Sequence, residues 1–177
     1  ADAVGIKDSS LYKHFKSKRE IFHTIVVEMR TRMAQVAEHA GLPEESLLDE
    51  AVQFYGKVTL ETLQELSRKM FLFYLQDSFL SRFWRLATME QYQNPDIYEI
   101  FRKIFMEESI AYQKTLFEAM IDEGIFVNAD AEVMAMNFYA PIFFLLSKYN
   151  GREGGAEEAL PVLNRQVAEF HRIYRIK

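Results

Sequence analysis

The first twenty-two residues, ADAVGIKDSSLYKHFKSKREIF, constrain the fold more than any other part of this chain. Ala1-Asp2-Ala3-Val4 reads as the last turn of one helix, and Gly5 as the residue that lets it end. Ile6-Lys7-Asp8 forms a turn, and Ser9 to Phe15 a short second helix. Glycine tolerates the left-handed position that a sharp turn between two crossing helices requires. Leu11 and Phe15, one helical turn apart, would pin one face of the second helix to its domain. The other face carries Ser9, Ser10, Tyr12, Lys13 and His14, followed by Lys16 and Lys18. These hydroxyl and cationic donors are the groups that contact phosphates and base edges. The pattern is that of the second half of a helix-turn-helix, with a recognition helix suited to reading DNA.

The same residues carry a family resemblance. Val4-Gly5-Ile6, followed by Leu11-Tyr12-Lys13-His14-Phe15-Lys16-Ser17-Lys18, resembles the DNA-binding domain of TetR-type bacterial transcriptional regulators. The motif is specific over residues 1–22, and beyond it the likeness is one of helical architecture. One position departs from the pattern: Lys7 stands where Ser or Thr often opens the second helix, which leaves Asp8 or Ser9 to cap it. The resemblance implies DNA contacts from Lys7, Ser9, Ser10, Tyr12, Lys13, His14 and Lys18, with Ser9 and Lys13 reaching toward base edges. It also implies a first helix, and the front of a second, ahead of Ala1.

A net charge of −5 looks unsuited to a DNA binder until it is divided by position. Residues 1–35 hold seven Lys and Arg against four Asp and Glu, a balance of +3; residues 36–177 hold fourteen against twenty-two, a balance of −8. A basic head on an acidic body is the asymmetry expected when one end meets phosphate. Apolar residues make up 49% of the 177 and aromatics 14%, ample for a core. No cysteine is present, so disulfides, thiolate metal sites and a cysteine nucleophile are excluded. The longest apolar run, Val133 to Leu146, is shorter than a membrane span and contains Asn137 and Pro141. A soluble, cytoplasmic protein that keeps away from membranes is expected.

Periodicity through the body is helical throughout, which gives an all-α chain: a partial helix-turn-helix head with its connecting helix over 1–40, and a helical ligand-binding and dimerisation bundle over 41–177. Ser17 and Glu20 form a capping box. The helix they open has Ile21, Phe22, Ile25, Val26, Met29, Met33, Val36 and Ala37 on one face and stops at Gly41. Pro43-Glu44-Glu45 reads as the start of the next helix. Further helices are predicted over 59–76, 79–92, 96–123 with Gly124 as its stop, 130–149 and 156–176.

The segment Val133 to Leu146 is apolar nearly all round, so it must be buried on more than one side. A second subunit is the simplest source of that burial; the alternative is a central helix buried within one monomer. Similarity to TetR-type proteins implies that the last two helices pair with their copies in a four-helix bundle, with Met136, Tyr139, Phe143, Leu146, Leu163, Val167 and Phe170 at the contact. Pro141 should kink the first of the two. The middle helices carry the aromatic cluster Phe71, Phe73, Tyr74, Phe79, Phe83, Trp84 and Tyr92, facing Phe101, Phe105 and Tyr112. The resemblance implies an inducer site among them, for which Phe71, Tyr74, Trp84, Tyr92 and Tyr112 are the candidate contacts. The lever from site to DNA would be the 18–40 helix, with the ligand between its C-terminal half and the helices at 59–76, 79–92 and 96–123.

Enzymatic function has little to stand on. His14, His23, His39 and His171 are far apart, with no His/Glu pair at metal-ligand spacing. Gly151, Gly154 and Gly155 precede a helix but follow another helix, without the strand or the Lys-Ser/Thr of a phosphate loop. No cofactor and no metal are expected. The sequence therefore points to a ligand-released repressor that binds a palindromic operator as a homodimer. Its partners would be double-stranded DNA, a second copy of itself, and a small apolar or amphipathic inducer. The competing class is an all-α small-molecule-binding or interaction protein that does not bind DNA in this form.

Overall fold

A computed structural model describes residues 17–176, and they are helical nearly from end to end. In chain order the helices are α1 (Lys18–His39), α2 (Leu48–Lys57), α3 (Leu60–Gln76), α4 (Ser78–Glu90) and α5 (Pro95–Arg102). They continue through a π-helical turn (Lys103–Glu108) into α6 (Ser109–Asp122), then α7 (Ala131–Tyr149) and α8 (Gly155–Tyr174). The chain divides into two compact units, 1–35 and 36–177, with the division falling inside α1.

Local chemistry explains where α1, α3, α4 and α7 begin. The Glu20 amide donates to Ser17 Oγ at 3.1 Å, as a capping Ser should accept it. Thr59 Oγ1 accepts from the Thr62 amide at 3.2 Å. One oxygen of Asp77 accepts from the Phe79 and Leu80 amides, and one oxygen of Asp130 from those of Glu132 and Val133. The helix ends are equally local. Gly41 and Gly124 take φ of +72° and +68°, and each closes its helix with a paired set of reverse hydrogen bonds. Leu42 donates to Ala37 and Gly41 to Glu38; Ile125 donates to Met120 and Gly124 to Ile121. A side chain at either glycine would be strained in the left-handed region.

Two boundaries differ from the sequence reading. Pro43-Glu44-Glu45 does not open a helix: Glu44 and Glu45 lie in a turn, and α2 starts at Leu48, where Ala51 and Val52 gain a buried face. The helix predicted over 96–123 is interrupted by the π-helical turn at Lys103–Glu108.

Within unit 1, α1 keeps Met29 fully buried, and Ile21, Phe22, Ile25, Val26 and Met33 partly so, while Glu20, His23, Thr24, Glu28 and Arg30 are exposed. This is the stripe the periodicity indicates. Within unit 2, α6 packs on α2 and α7, α3 on α4, α7 and α8, and α7 on α8. The core has an aromatic layer of Phe83, Trp84, Phe101 and Phe105. A second layer joins Phe117, Phe126, Phe138 and Phe170 to Met134 and Ala135. The chain's end is tied down as well. Ile176 donates to the Ile125 carbonyl at 3.0 Å, Val127 donates to the Tyr174 carbonyl at 2.9 Å, and the Arg175 guanidinium caps the C-terminus of α2 through the carbonyls of Tyr55 and Gly56.

Pro141 sits inside α7 without ending it. Its missing N–H leaves the Asn137 carbonyl without a helical donor. Gln166 of α8 supplies one: its Nε2 donates to that carbonyl at 2.8 Å.

Candidate functional site

The π-helical turn organises the aromatic body. It places Ile104 and Phe105 in the core, and Phe105 becomes the hub on which neighbouring rings meet. Trp84 lies 4.7 Å away, Phe101 5.0 Å, Phe83 6.0 Å and Tyr74 6.5 Å, centroid to centroid. π-Turns of this kind shift the backbone hydrogen-bond register and recur at functional sites. Here two carbonyls in the shifted stretch find side-chain donors. Tyr139 Oη of α7 donates to the Phe105 carbonyl at 2.6 Å, and Ser109 Oγ donates to the Ile104 carbonyl at 3.3 Å.

Four phenols come from four different helices of unit 2: Tyr55 from α2, Tyr74 from α3, Tyr112 from α6 and Tyr139 from α7. Burial pushes all four above the ordinary phenol range, Tyr139 up to about 12. Yet each residue keeps part of its surface accessible. After burial, Tyr55 feels Tyr112 and then Glu45, Tyr74 feels Tyr139 and then Glu45, and Tyr112 feels Glu45. Burial is the leading cause for each of them, and Glu45, on the exposed turn before α2, adds a smaller raising effect on Tyr55, Tyr74 and Tyr112. One residue along α6 from Tyr112, Gln113 has a buried Oε1 with no hydrogen-bond partner, the sole such side-chain atom among the described residues.

The inducer candidates read from sequence fall into different places. Tyr74 and Trp84 both meet Phe105, and Phe71 is buried on α3 beside them in sequence. Tyr112 lies with Tyr55 against the layer that contains Phe117 and Phe126. Tyr92 is 90% exposed in the turn after α4, so it meets none of the others. Tyr55, Glu45 and Gln113 were missed by the sequence reading. Their signal was the lone acidic turn Glu44-Glu45 ahead of an apolar helix, which read as a helix start.

The residues expected at a contact between two copies need correction. Leu146, Leu163, Val167 and Phe170 are buried by the chain itself. Phe143 lies 5.1 Å from the Trp84 ring, and Tyr139 is held on Phe105. These side chains occupy the inward rows of α7 and α8, already filled by neighbouring helices. Of the seven, Met136 alone is exposed, at 52%. The outward apolar row of α7 is instead Val133, Met136, Ala140 and Phe144, with Val133 at 51% and Phe144 at 62% exposure. Val162 and Ile173 are exposed on α8, on the helical rows flanking Gln166, which touches Asn137 in the middle of the α7 row.

The DNA candidates Lys7, Ser9, Ser10, Tyr12, Lys13 and His14 lie outside the described residues, as does the side chain of Lys18, whose backbone opens α1. Among the described residues no His, Asp and Glu group is arranged to hold a metal ion, and no helix is long and apolar enough to cross a membrane.

No protein-family model and no curated protein matches the sequence. A solved structure does match the fold: a protein from Mesorhizobium loti MAFF303099, provisionally described as a TetR-family transcriptional regulator. It aligns over 97% of this chain and 82% of its own, with a TM-score of 0.63 and 18% identity. The chain therefore shares the all-α fold of that protein. The likeness extends through the body, well beyond the motif at residues 1–22.

Proposed function

We propose that this protein is a TetR-type transcriptional regulator. It binds a palindromic operator as a homodimer through Ser9, Tyr12, Lys13, His14 and Lys18, and releases DNA when a small amphipathic molecule enters its body. The observation that carries this reading is the coincidence of two independent likenesses: a head motif over residues 1–22, and a fold shared along 97% of the chain with a protein described as such a regulator. Charge supports it, with +3 on residues 1–35 and −8 on the remainder.

The homodimer rests on the outward row Val133, Met136, Ala140 and Phe144, joined by Val162 and Ile173. An apolar face on two adjacent helices marks an interface, and self-pairing of such a face across a two-fold axis gives a closed dimer. The same two-fold would present two heads to one duplex, matched to half-sites about 34–36 Å apart. Helix α1 is continuous from Lys18 to His39 across the division at residue 35, so it is suited to carry a displacement between the units. Ligand and operator are then coupled by about 1–3 kcal/mol, set by the ligand's differential affinity for the two states.

Selection of bound duplexes from a random DNA pool tests the proposal, using the full-length protein. Recovery of an inverted repeat with half-site centres one helical turn, or a multiple of it, apart is the expected result. Recovery of no preferred sequence favours the small-molecule-binding reading instead.

A further inference from the structure

Two irregular stretches of helix meet in unit 2: the π-helical turn at Lys103–Glu108 and the part of α7 around Pro141. Burial shows why the first is needed. Ile97, Phe101 and Ile104 are buried up to its start, and Leu116, Phe117 and Met120 beyond its end. At about 100° per residue, a regular helix would aim these two sets roughly 140° apart, with one of them turned from the core. The extra residue held in a π-turn takes back about 100°, so both sets face inward. Three hydrogen bonds mark where that residue is held. The Ser109 amide closes on the Met106 carbonyl, Ser109 Oγ donates to the Ile104 carbonyl at 3.3 Å, and Tyr139 Oη donates to the Phe105 carbonyl at 2.6 Å. Of the three donors, only Tyr139 belongs to another helix. It stands on α7 between Asn137 and Pro141, the two ends of the gap that Gln166 bridges.

We infer that the π-turn is a movable register defect with Tyr139 as its latch: release of the phenol from the Phe105 carbonyl lets the extra residue step along the helix and turns Phe105 off Trp84. A step exchanges one backbone hydrogen bond for its neighbour, so the ladder alone sets no resting place and the side-chain bonds choose it. Each side chain that the defect passes turns by about 100°. For Phe105 that turn would break its ring contacts with Trp84 at 4.7 Å and Phe101 at 5.0 Å, so these contacts favour the latched register. On α7 the backbone beside the latch is held by a side chain of α8 in place of its own ladder bond, which makes this the point where α7 bends most readily. A bend there reaches Trp84 through one hydrogen bond and one ring. The latch requires neither DNA nor a bound ligand, so its test is separate from operator selection.

Hydrogen exchange and the fluorescence of Trp84, the one tryptophan in the chain, test it on the full chain. Tyr139→Phe keeps the ring and removes the donor. Amides over residues 104–112 should then exchange roughly tenfold faster and those of α8 less than about twofold faster, with a shift in the Trp84 emission maximum. Tyr74→Phe removes a phenol that lies beside the same ring, and it should leave residues 104–112 at their original rates. Ser109→Ala removes the second side-chain donor at a half-buried position and should speed the same amides by a smaller factor. That variant decides the matter if Tyr139→Phe does not fold. Uniform acceleration across residues 36–177, or none over 104–112, overturns the latch. An equal local effect from Tyr74→Phe overturns it as well, because loss of any phenol near Phe105 would then suffice. Local acceleration with an unchanged Trp84 emission overturns the turning of Phe105.

Discussion

Gln166 Nε2 donates to the backbone carbonyl of Asn137 at 2.8 Å, at the carbonyl that Pro141 deprives of its helical donor. A helix-interior proline costs about 3 kcal/mol, part of it from the missing hydrogen bond. The side chain from α8 replaces that bond and lets α7 run on to Tyr149.

Gln166→Ala should therefore cost about 1 kcal/mol in the wild-type background, the usual net worth of one hydrogen bond. In a Pro141→Ala background the backbone amide restored at that position serves the Asn137 carbonyl, and the cost should fall to near zero. Denaturant unfolding of the four proteins of this cycle measures the coupling. Equal costs in both backgrounds would mean that Gln166 acts through packing alone.

Phe144→Asp and Met136→Lys should each convert a dimer into monomers in sedimentation while leaving helix content unchanged. Both side chains project from α7 and have little to lose in the isolated chain. Leu163→Asp should instead unfold the protein, because a carboxylate would stand unpaired at a fully buried position. If Phe144→Asp leaves a stable dimer, the outward row of α7 is not its interface.

Stability should fall as pH rises above 10. Tyr139 keeps its proton to about 12 when folded, against an ordinary phenol value of 10.0, and Tyr55, Tyr74 and Tyr112 are shifted in the same direction, all chiefly by burial. Between pH 10 and 12 the unfolded chain has therefore lost protons that the folded chain retains, and the free energy of unfolding declines. The stabilising contribution is complete below pH 10 and lost as pH climbs through the folded values. Urea titrations at steps between pH 9 and 12 measure the slope, and Tyr74→Phe should flatten it. An unchanged slope in that variant would show that its phenol is not protected by the fold.

The helices were legible because their signals are local. Ser17 with Glu20, Gly41 and Gly124 each fix a boundary through atoms a few residues away. The stripe on α1 is equally plain, since one side of a 3.6-residue period suffices to show it. The body's site was not legible in the same way. Nothing near Phe105 in sequence announces a π-turn, and the donor that satisfies it, Tyr139, comes from α7. On α7 apolar residues occupy every row, so periodicity could not say which row faces inward. Phe143 and Leu146 stood as candidates beside Met136, and Phe144 was passed over, until packing against Trp84 and the core separated the rows.

The DNA-binding proposal separates two lysines by what they would touch. A phosphate contact stabilises every sequence alike and releases a counterion, whereas a base-edge contact discriminates between sequences. Lys18→Ala should thus weaken specific and random duplexes equally and flatten the dependence of log K on log salt by about one unit. Lys13→Ala should leave random DNA binding nearly unchanged but cost about 1–3 kcal/mol on the preferred site, relaxing selectivity at one position of each half-site. Fluorescence anisotropy with labelled duplexes at salt concentrations from roughly 50 to 200 mM distinguishes the two, since only the first changes the slope on random DNA. Identical behaviour of the two variants would mean that the residues from Ser9 to Phe15 do not lie in the major groove. If both variants bind like the unsubstituted protein, the basic head takes no part in recognition.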